Sequence, residues 1–216
     1  MRRSYQPRPP KREAIRSYQL MSEMKERSSR ELLQRISAWS EAQPNIRVLI
    51  LTGSYAQDQA DDLSDLDIEI FVRDPETYAQ SDSWMSEIGP VWVYLPLHDH
   101  AGYPTRLVIF EGGLKVDFSI FPVSVLVNRL AAQRLSPLYD RGYRVLVDKD
   151  ELAGRLPAPS RKAPMARVPT EEELVGLVRE FWFEAYHVAK YLKRGDLWAG
   201  KYRDWGLKGL LLRMIE

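Results

Sequence analysis

Apolar and polar positions alternate most regularly in two stretches of this chain. In 64–72 the order Ser64-Asp65-Leu66-Asp67-Ile68-Glu69-Ile70-Phe71-Val72 puts Leu66, Ile68 and Ile70 on one side of a strand and Asp65, Asp67 and Glu69 on the other. One face is expected to be buried and the other to carry concentrated negative charge. In 114–121 Leu114, Val116, Phe118 and Ile120 alternate in the same way with Lys115, Asp117 and Ser119. That second strand pairs with Thr105 to Phe110 across Glu111-Gly112-Gly113, a short connection whose glycines accept positive φ. A β-hairpin is expected there. An aspartate midway along an apolar strand needs a reason, and two stay open: a satisfied edge-strand residue, or a third carboxylate beside Asp65 and Asp67.

The other elements follow from local pattern. Arg47 to Thr52 and Val91 to Leu95 read as strands, as does Tyr143 to Asp148. Ile15 to Ala42 has helical composition, with Leu32, Leu33, Ile36 and Trp39 forming an apolar stripe expected to cover the sheet. Ser81 to Ile88 is a short helix ended by Gly89-Pro90, and Pro122 to Arg134 is an amphipathic one. From Arg155 to Thr170 the composition changes to four prolines and four Lys/Arg without an acid, as in an interdomain linker. Thr170-Glu171-Glu172-Glu173 then forms a capping box. The helix behind it shows Leu174, Leu177, Val178, Phe181, Ala185, Val188 and Leu192 on its apolar face and Glu173, Glu180, Glu184 and His187 along a polar margin. Gly195-Asp196 breaks it, and Tyr202 to Ile215 begins another. The predicted organisation is a flexible tail (1–13), an α+β domain (14–154), a proline-rich linker (155–169) and the start of a helical domain (170–216), expected to be incomplete at Glu216.

Composition narrows the chemistry. A chain of 216 residues with 44% hydrophobic content can bury a core. It has no cysteine and three histidines, which removes disulfides and thiolate catalysis and argues against zinc; His98 and His100 read as surface residues. No apolar run approaches the roughly 20 residues needed to span a bilayer, and no export signal follows Arg2-Arg3, so a cytoplasmic protein without a membrane partner is expected. Lys+Arg and Asp+Glu nearly balance, at 31 and 30, but residues 1–35 hold ten basic and four acidic side chains. That arm reads as a solvated tail rather than a nucleic-acid site.

The candidate chemistry lies between residues 51 and 72. Asp65 and Asp67 repel one another unless a cation joins them, and hard oxygen ligands favour magnesium or manganese. Gly53-Ser54 follows the apolar run Val48-Leu49-Ile50-Leu51, so backbone amides and a hydroxyl are placed to approach an anion. A solvated acidic loop and an ordinary glycine turn are the plainer readings of each feature taken alone. Their succession along two consecutive strands favours a phosphate beside a metal. The carboxylates Glu180 and Glu184 suit a polycationic ligand, with a solvated helix face as the alternative, and Lys190 is a mobile charge for phosphate.

At Gly53-Ser54, Asp65-Leu66-Asp67 and Val116-Asp117-Phe118 the sequence resembles the nucleotidyltransferase superfamily that includes DNA polymerase β. Within it the chain is most similar to the streptomycin adenylyltransferases, the aminoglycoside 6-adenylyltransferases. Val147-Asp148-Lys149-Asp150, Glu180-Phe181-Trp182 and Leu211-Leu212-Arg213-Met214-Ile215 extend that likeness from about Arg30 to the end. The resemblance implies a nucleotidyltransferase fold, a mixed sheet flanked by helices, followed by a helical domain. It implies ATP or another NTP and an aminoglycoside as substrates, and two Mg²⁺ ions, with Mn²⁺ an alternative, held by Asp65, Asp67 and Asp117. On the same resemblance Asp117 would take the acceptor proton, Gly53, Ser54 and Lys190 would contact the nucleotide, and Glu180 and Glu184 would bind the drug. Where that family carries an arginine after Gly-Ser, this chain has Tyr55. A protein or RNA acceptor, or a non-catalytic nucleotide-binding module, are the alternatives. Neither the particular drug nor the oligomeric state can be read from the pattern.

Overall fold

The computed structural model describes residues 28–61, 63–162 and 168–215. The predicted tail, the first part of the predicted Ile15 to Ala42 helix and residues 163–167 of the predicted linker lie outside these. The chain divides between residues 163 and 164 into two compact units.

In the first unit, helix α1 (28–42) leads into β1 (Ile46–Thr52), the four-residue α2 (Gly53–Ala56) and β2 (Leu66–Val72). Two short helices, α3 (Glu76–Ala79) and α4 (Trp84–Ile88), precede β3 (Val91–His98), β4 (Pro104–Phe110) and β5 (Leu114–Pro122). Helices α5 (Val123–Ala131) and α6 (Pro137–Arg141) and strand β6 (Arg144–Asp148) follow. The strands make one sheet in the order β3-β4-β5-β2-β1-β6. Only the central pair β2 and β5 is parallel; the other neighbours are antiparallel.

The expected hairpin forms, with Gly112 at φ +89° and Gly113 at φ +78°. On one side of the sheet Leu49, Leu51, Leu66, Ile68, Ile70, Val116 and Phe118 meet the stripe Leu32, Ile36 and Trp39 of α1. Aromatic rings tighten this layer: Trp39 stacks on Trp84 at 5.2 Å, and Trp84 meets Phe118 edge-on at 5.1 Å. The Trp39 indole also donates to Glu87 Oε2 at 2.9 Å, tying α1 to α4. Arg106 is buried in β4, where it donates to Asp82 Oδ1 at 2.6 Å and to the Ala79 carbonyl at 2.9 Å, holding the turn between α3 and α4. The helix predicted from Ser81 begins only at Trp84, because Ser81, Asp82 and Ser83 bond locally or to Arg106 instead of continuing a helix.

The opposite side corrects one expectation. The acidic face of β2 is not open along its length, because α5 and α6 fold over it and bury Val48, Ile50, Phe71, Phe121, Leu126 and Tyr139 together. Glu69 lies beneath them, accepting from Arg129 Nη1 and from the Tyr139 hydroxyl, both at 2.5 Å. Among the described residues, the end of this face beyond that cover carries the half-buried Asp65 and Asp67.

Strand β3 is an open edge of the sheet, and Trp92 and Leu95 are 65% and 52% exposed. Asp99 N–H donates to the Tyr103 carbonyl, and hydrogen-bonded pairs alternate along an antiparallel ladder. Pro96, opposite Arg106, therefore turns its missing N–H outward. That leaves the edge one donor short, a device that discourages strand addition.

The second unit is a pair of helices, α7 (Glu171–Lys193) and α8 (Leu197–Ile215). The capping box forms: Thr170 Oγ1 accepts from Glu173 N–H, and the Glu173 carboxylate accepts from Thr170 N–H. Helix α8 starts at Leu197, earlier than its apolar pattern predicts, after Asp196 Oδ1 accepts from Ala199 N–H in its first turn. Of the apolar face predicted for α7, Leu177 is buried, whereas Leu174, Val178 and Leu192 stay exposed. One partner helix covers only one side. No helix of the described residues is long and apolar enough to cross a membrane.

Candidate active site

Strand order brings together what the sequence separates. Thr52, at the end of β1, is in register with Asp67, and Asp67 is in register with Asp117 on the parallel strand beyond it. Three adjacent strands thus bring the glycine turn at the end of β1, Asp67 and Asp117 side by side, with Asp65 just ahead of β2. Neighbouring strands stand about 4.8 Å apart, close enough for the two aspartates to share a ligand. The reason for an aspartate in β5 is now physical: it lies at the uncovered end of the face that α5 and α6 bury further along.

The turn is fitted to this arrangement. Gly53 has φ +69°, and a Cβ built on it would fall 1.9 Å from Asp67 Oδ2. No residue with a side chain fits while Asp67 keeps its place. Helix α2 follows at once; the Ser54 carbonyl accepts from the amides of Gln57 and Gln59, closing the loop. Tyr55 turns partly buried against the α1-side core, so its ring serves packing, while Arg144 Nη2 donates to the Tyr55 carbonyl at 2.5 Å. In the loop ahead of β2, the Asp61 carboxylate accepts from Leu63 N–H and Ser64 Oγ. That turn delivers Asp65.

Charge is unbalanced among the three carboxylates. Lys115, on the same side of β5 as Asp117, donates to Asp65 Oδ2 at 2.7 Å and to Asp117 Oδ2 at 2.9 Å. Its ammonium is also 2.9 Å from Asp117 Oδ1, but without hydrogen-bond geometry, and that oxygen is buried with no hydrogen-bond partner among the described residues. Burial, then the charges of Asp117 and Asp65, raise the Asp67 carboxyl above its ordinary range, against a lowering effect of Lys115. Burial alone would lower the Lys115 ammonium, yet its bonds to Asp117 and Asp65 outweigh this and raise it.

Among the described residues no three carboxylate or imidazole groups converge as a ready-made chelate; the cation between Asp65 and Asp117 is the ammonium of Lys115. The donor set nevertheless suits a hard divalent ion. It consists of carboxylate oxygens, one of them buried without a hydrogen-bond partner among the described residues, and the three aspartates outnumber the one ammonium beside them. Sequence reasoning missed Lys115, which read there only as a polar residue on the outer face of a strand.

The remaining predicted residues belong to the second unit. Glu180 and Glu184 line a groove of about 440 Å³ walled by Tyr202, Trp205 and Arg213. Glu184 is already engaged, accepting from Arg203 Nη1 at 2.9 Å, and that partner was not foreseen. Lys190 sits in the last turn of α7, where a cation suits the helix dipole. His98 and His100 are exposed.

A mixed sheet whose central parallel strands present paired carboxylates beside a glycine turn, with helices on both faces, defines a nucleotidyltransferase fold. The family model of the streptomycin adenylyltransferases matches residues 26–216, and the chain belongs to that family. It is 28% identical over 200 residues to the aminoglycoside 6-adenylyltransferase of Staphylococcus aureus, covering 88% of this chain and 69% of that protein. The enzyme of the same name from Bacillus subtilis (strain 168) is 26% identical over 199 residues, covering 88% and 68%. A crystal structure of an aminoglycoside 6-adenyltransferase from Bacillus subtilis aligns over 80% of this chain and 59% of that one, at 20% identity and a TM-score of 0.40. The chain therefore spans about two thirds of the length of these curated relatives, and less of the solved one.

Proposed function

We propose that this protein transfers AMP from ATP to a hydroxyl of an aminoglycoside of the streptomycin type, with two Mg²⁺ ions, in the cytoplasm. The observation that carries this reading is the register Thr52–Asp67–Asp117 across β1, β2 and β5. It puts Asp67 and Asp117 side by side, next to a left-handed glycine turn that leaves room for the Asp67 carboxylate. Family membership supplies the class of donor and acceptor.

On this reading Asp65 and Asp67, completed by Asp117, would hold the ions. Magnesium held there would supply neutralisation of the triphosphate and pyrophosphate charge. Ser54 and the backbone of the glycine turn steady the phosphates. Asp117 takes the proton from the acceptor hydroxyl, whose oxygen attacks the α-phosphorus as pyrophosphate leaves. Such a step needs positioning and charge neutralisation more than covalent help. Glu180 and Glu184 would meet ammonium or guanidinium groups of the acceptor, with Arg203 giving way at Glu184, and Lys190 would meet phosphate.

A small panel of aminoglycosides with Mg-ATP and Mg-GTP tests the reading. Pyrophosphate release is expected with ATP and streptomycin. Release only with a protein or RNA acceptor would reassign the substrate, and ATP binding without release with any acceptor would leave a nucleotide-binding module. Gly53→Ala is expected to abolish release, because the added methyl displaces the Asp67 carboxylate. It should also cost about 1–2 kcal/mol in urea unfolding for the left-handed backbone alone.

A further inference from the structure

The carboxylate cluster carries a cation of its own, built into the chain. Lys115 and Asp117 are two residues apart on β5 and so share a side of the strand. The ammonium bridges Asp65 and Asp117 at 2.7 and 2.9 Å, joining the loop before β2 to the middle of β5. Without it Asp65 and Asp117 would lose the cation that bonds to both of them. Its side chain is 32% exposed, so a way out to solvent exists. A lysine suits a group that must both hold and release: it is a compact charge on a flexible four-carbon stem, whereas an arginine fork would clamp a carboxylate in two places.

We infer that Lys115 is a tethered counter-ion for the metal site, a positioning residue that holds Asp65 and Asp117 in place while no divalent ion is bound and is displaced when one enters. This rests on the metal-dependent reading above. Metal affinity is then a difference: the ion gains two or more carboxylate oxygens and must expel an ammonium that already bonds to them. The empty site stays assembled at the cost of weaker ion binding, and it follows that uncharged substitutes at 115 tighten the binding of a divalent ion.

The test uses the full chain, freed of metal by a chelator and titrated with Mn²⁺, with free ion read by electron paramagnetic resonance. Thermal melts without and with saturating Mn²⁺ accompany it. Lys115→Met is expected to bind Mn²⁺ about tenfold more tightly than the unaltered protein, since an adjacent positive charge has gone. It should melt lower than the unaltered protein without metal and level with it when saturated. Should that variant not fold, Lys115→Gln, which lacks the charge but keeps a donor, carries the same expectation. Unchanged or weaker Mn²⁺ binding, or a melting deficit that saturating Mn²⁺ does not remove, would make Lys115 an ordinary structural ion-pair partner and overturn the inference. Asp67→Asn separates this from the reading beneath it. Mn²⁺ binding lost in Asp67→Asn but unaltered in Lys115→Met sinks only the role of Lys115. No binding by the unaltered protein, or equal binding in Asp67→Asn, sinks both.

Discussion

Asp67→Asn is expected to lower pyrophosphate release by at least about a thousandfold, some ~4 kcal/mol of transition-state stabilisation, while the protein still melts cooperatively. Asparagine keeps the size and shape of the side chain, so the fit against Gly53 survives and only the charge is lost. The position is the middle one of the three-strand register, against the Gly53 turn on one side and in register with Asp117 on the other. The stability half of the expectation has a definite sign. Burial, together with Asp117 and Asp65, raises the Asp67 carboxyl. A group whose carboxylate form is disfavoured by folding opposes the folded state at pH values above its unfolded titration. Replacing it with a neutral amide should leave the metal-free melting temperature at or above that of the unaltered protein at neutral pH. Activity and melting curves measured on the same preparation decide the matter. Release at the unaltered rate would remove Asp67 from the chemistry, and a lowered melting temperature would mean that the carboxylate is structural.

The strands and the hairpin were legible because their signals are local. Two-residue alternation marks β5, paired glycines mark its turn, and the capping box marks the start of α7. What escaped depends on partners far along the chain. Alternation states that Asp67 and Glu69 share a side, but not that α5 and α6 cover one and leave the other open. Helix α6, five residues beginning with a proline behind Ser136, is too short to show a period. Strand β3 has the composition of a core strand, yet the sheet order makes it an edge. That Asp117 stands beside Asp67 is one of the two readings the alternation leaves open and the one the resemblance implies; the parallel pairing of non-consecutive strands that brings them together is encoded by no local pattern. The same holds for Lys115 between two aspartates and for Arg203 against Glu184. A basic residue two positions from an aspartate on one strand face was the available signal for the first of these.

Arg129→Ala is expected to destabilise the protein by about 3–5 kcal/mol in urea unfolding, since it strips the partner from a buried carboxylate. Glu69 is 6% exposed, and its Oε2 takes both the Arg129 and the Tyr139 bonds. The guanidinium, partly exposed, also lies 5.4, 5.1 and 5.0 Å from the rings of Phe71, Phe121 and Tyr139. Its truncation therefore removes a charge pair and cation–π contacts together. Burial, then the nearby Glu69 charge, drives the Tyr139 hydroxyl strongly upward; it stays a donor at neutral pH but cannot neutralise Glu69. The pair can be separated from the packing by a double-mutant cycle. Glu69→Gln with Arg129→Met leaves no unpaired charge and keeps an acceptor for Tyr139, so the double variant should recover much of what Arg129→Ala loses. A loss below about 1 kcal/mol for Arg129→Ala, within the range of surface pairs, would mean that water reaches Glu69 and that α5 is held to the sheet by its apolar residues alone. Because Glu69 lies two residues after Asp67 on β2, a variant that folds with α5 loosened should also show a raised KM for the nucleotide. The strand that presents Asp67 would then have lost the layer pressing on its far end.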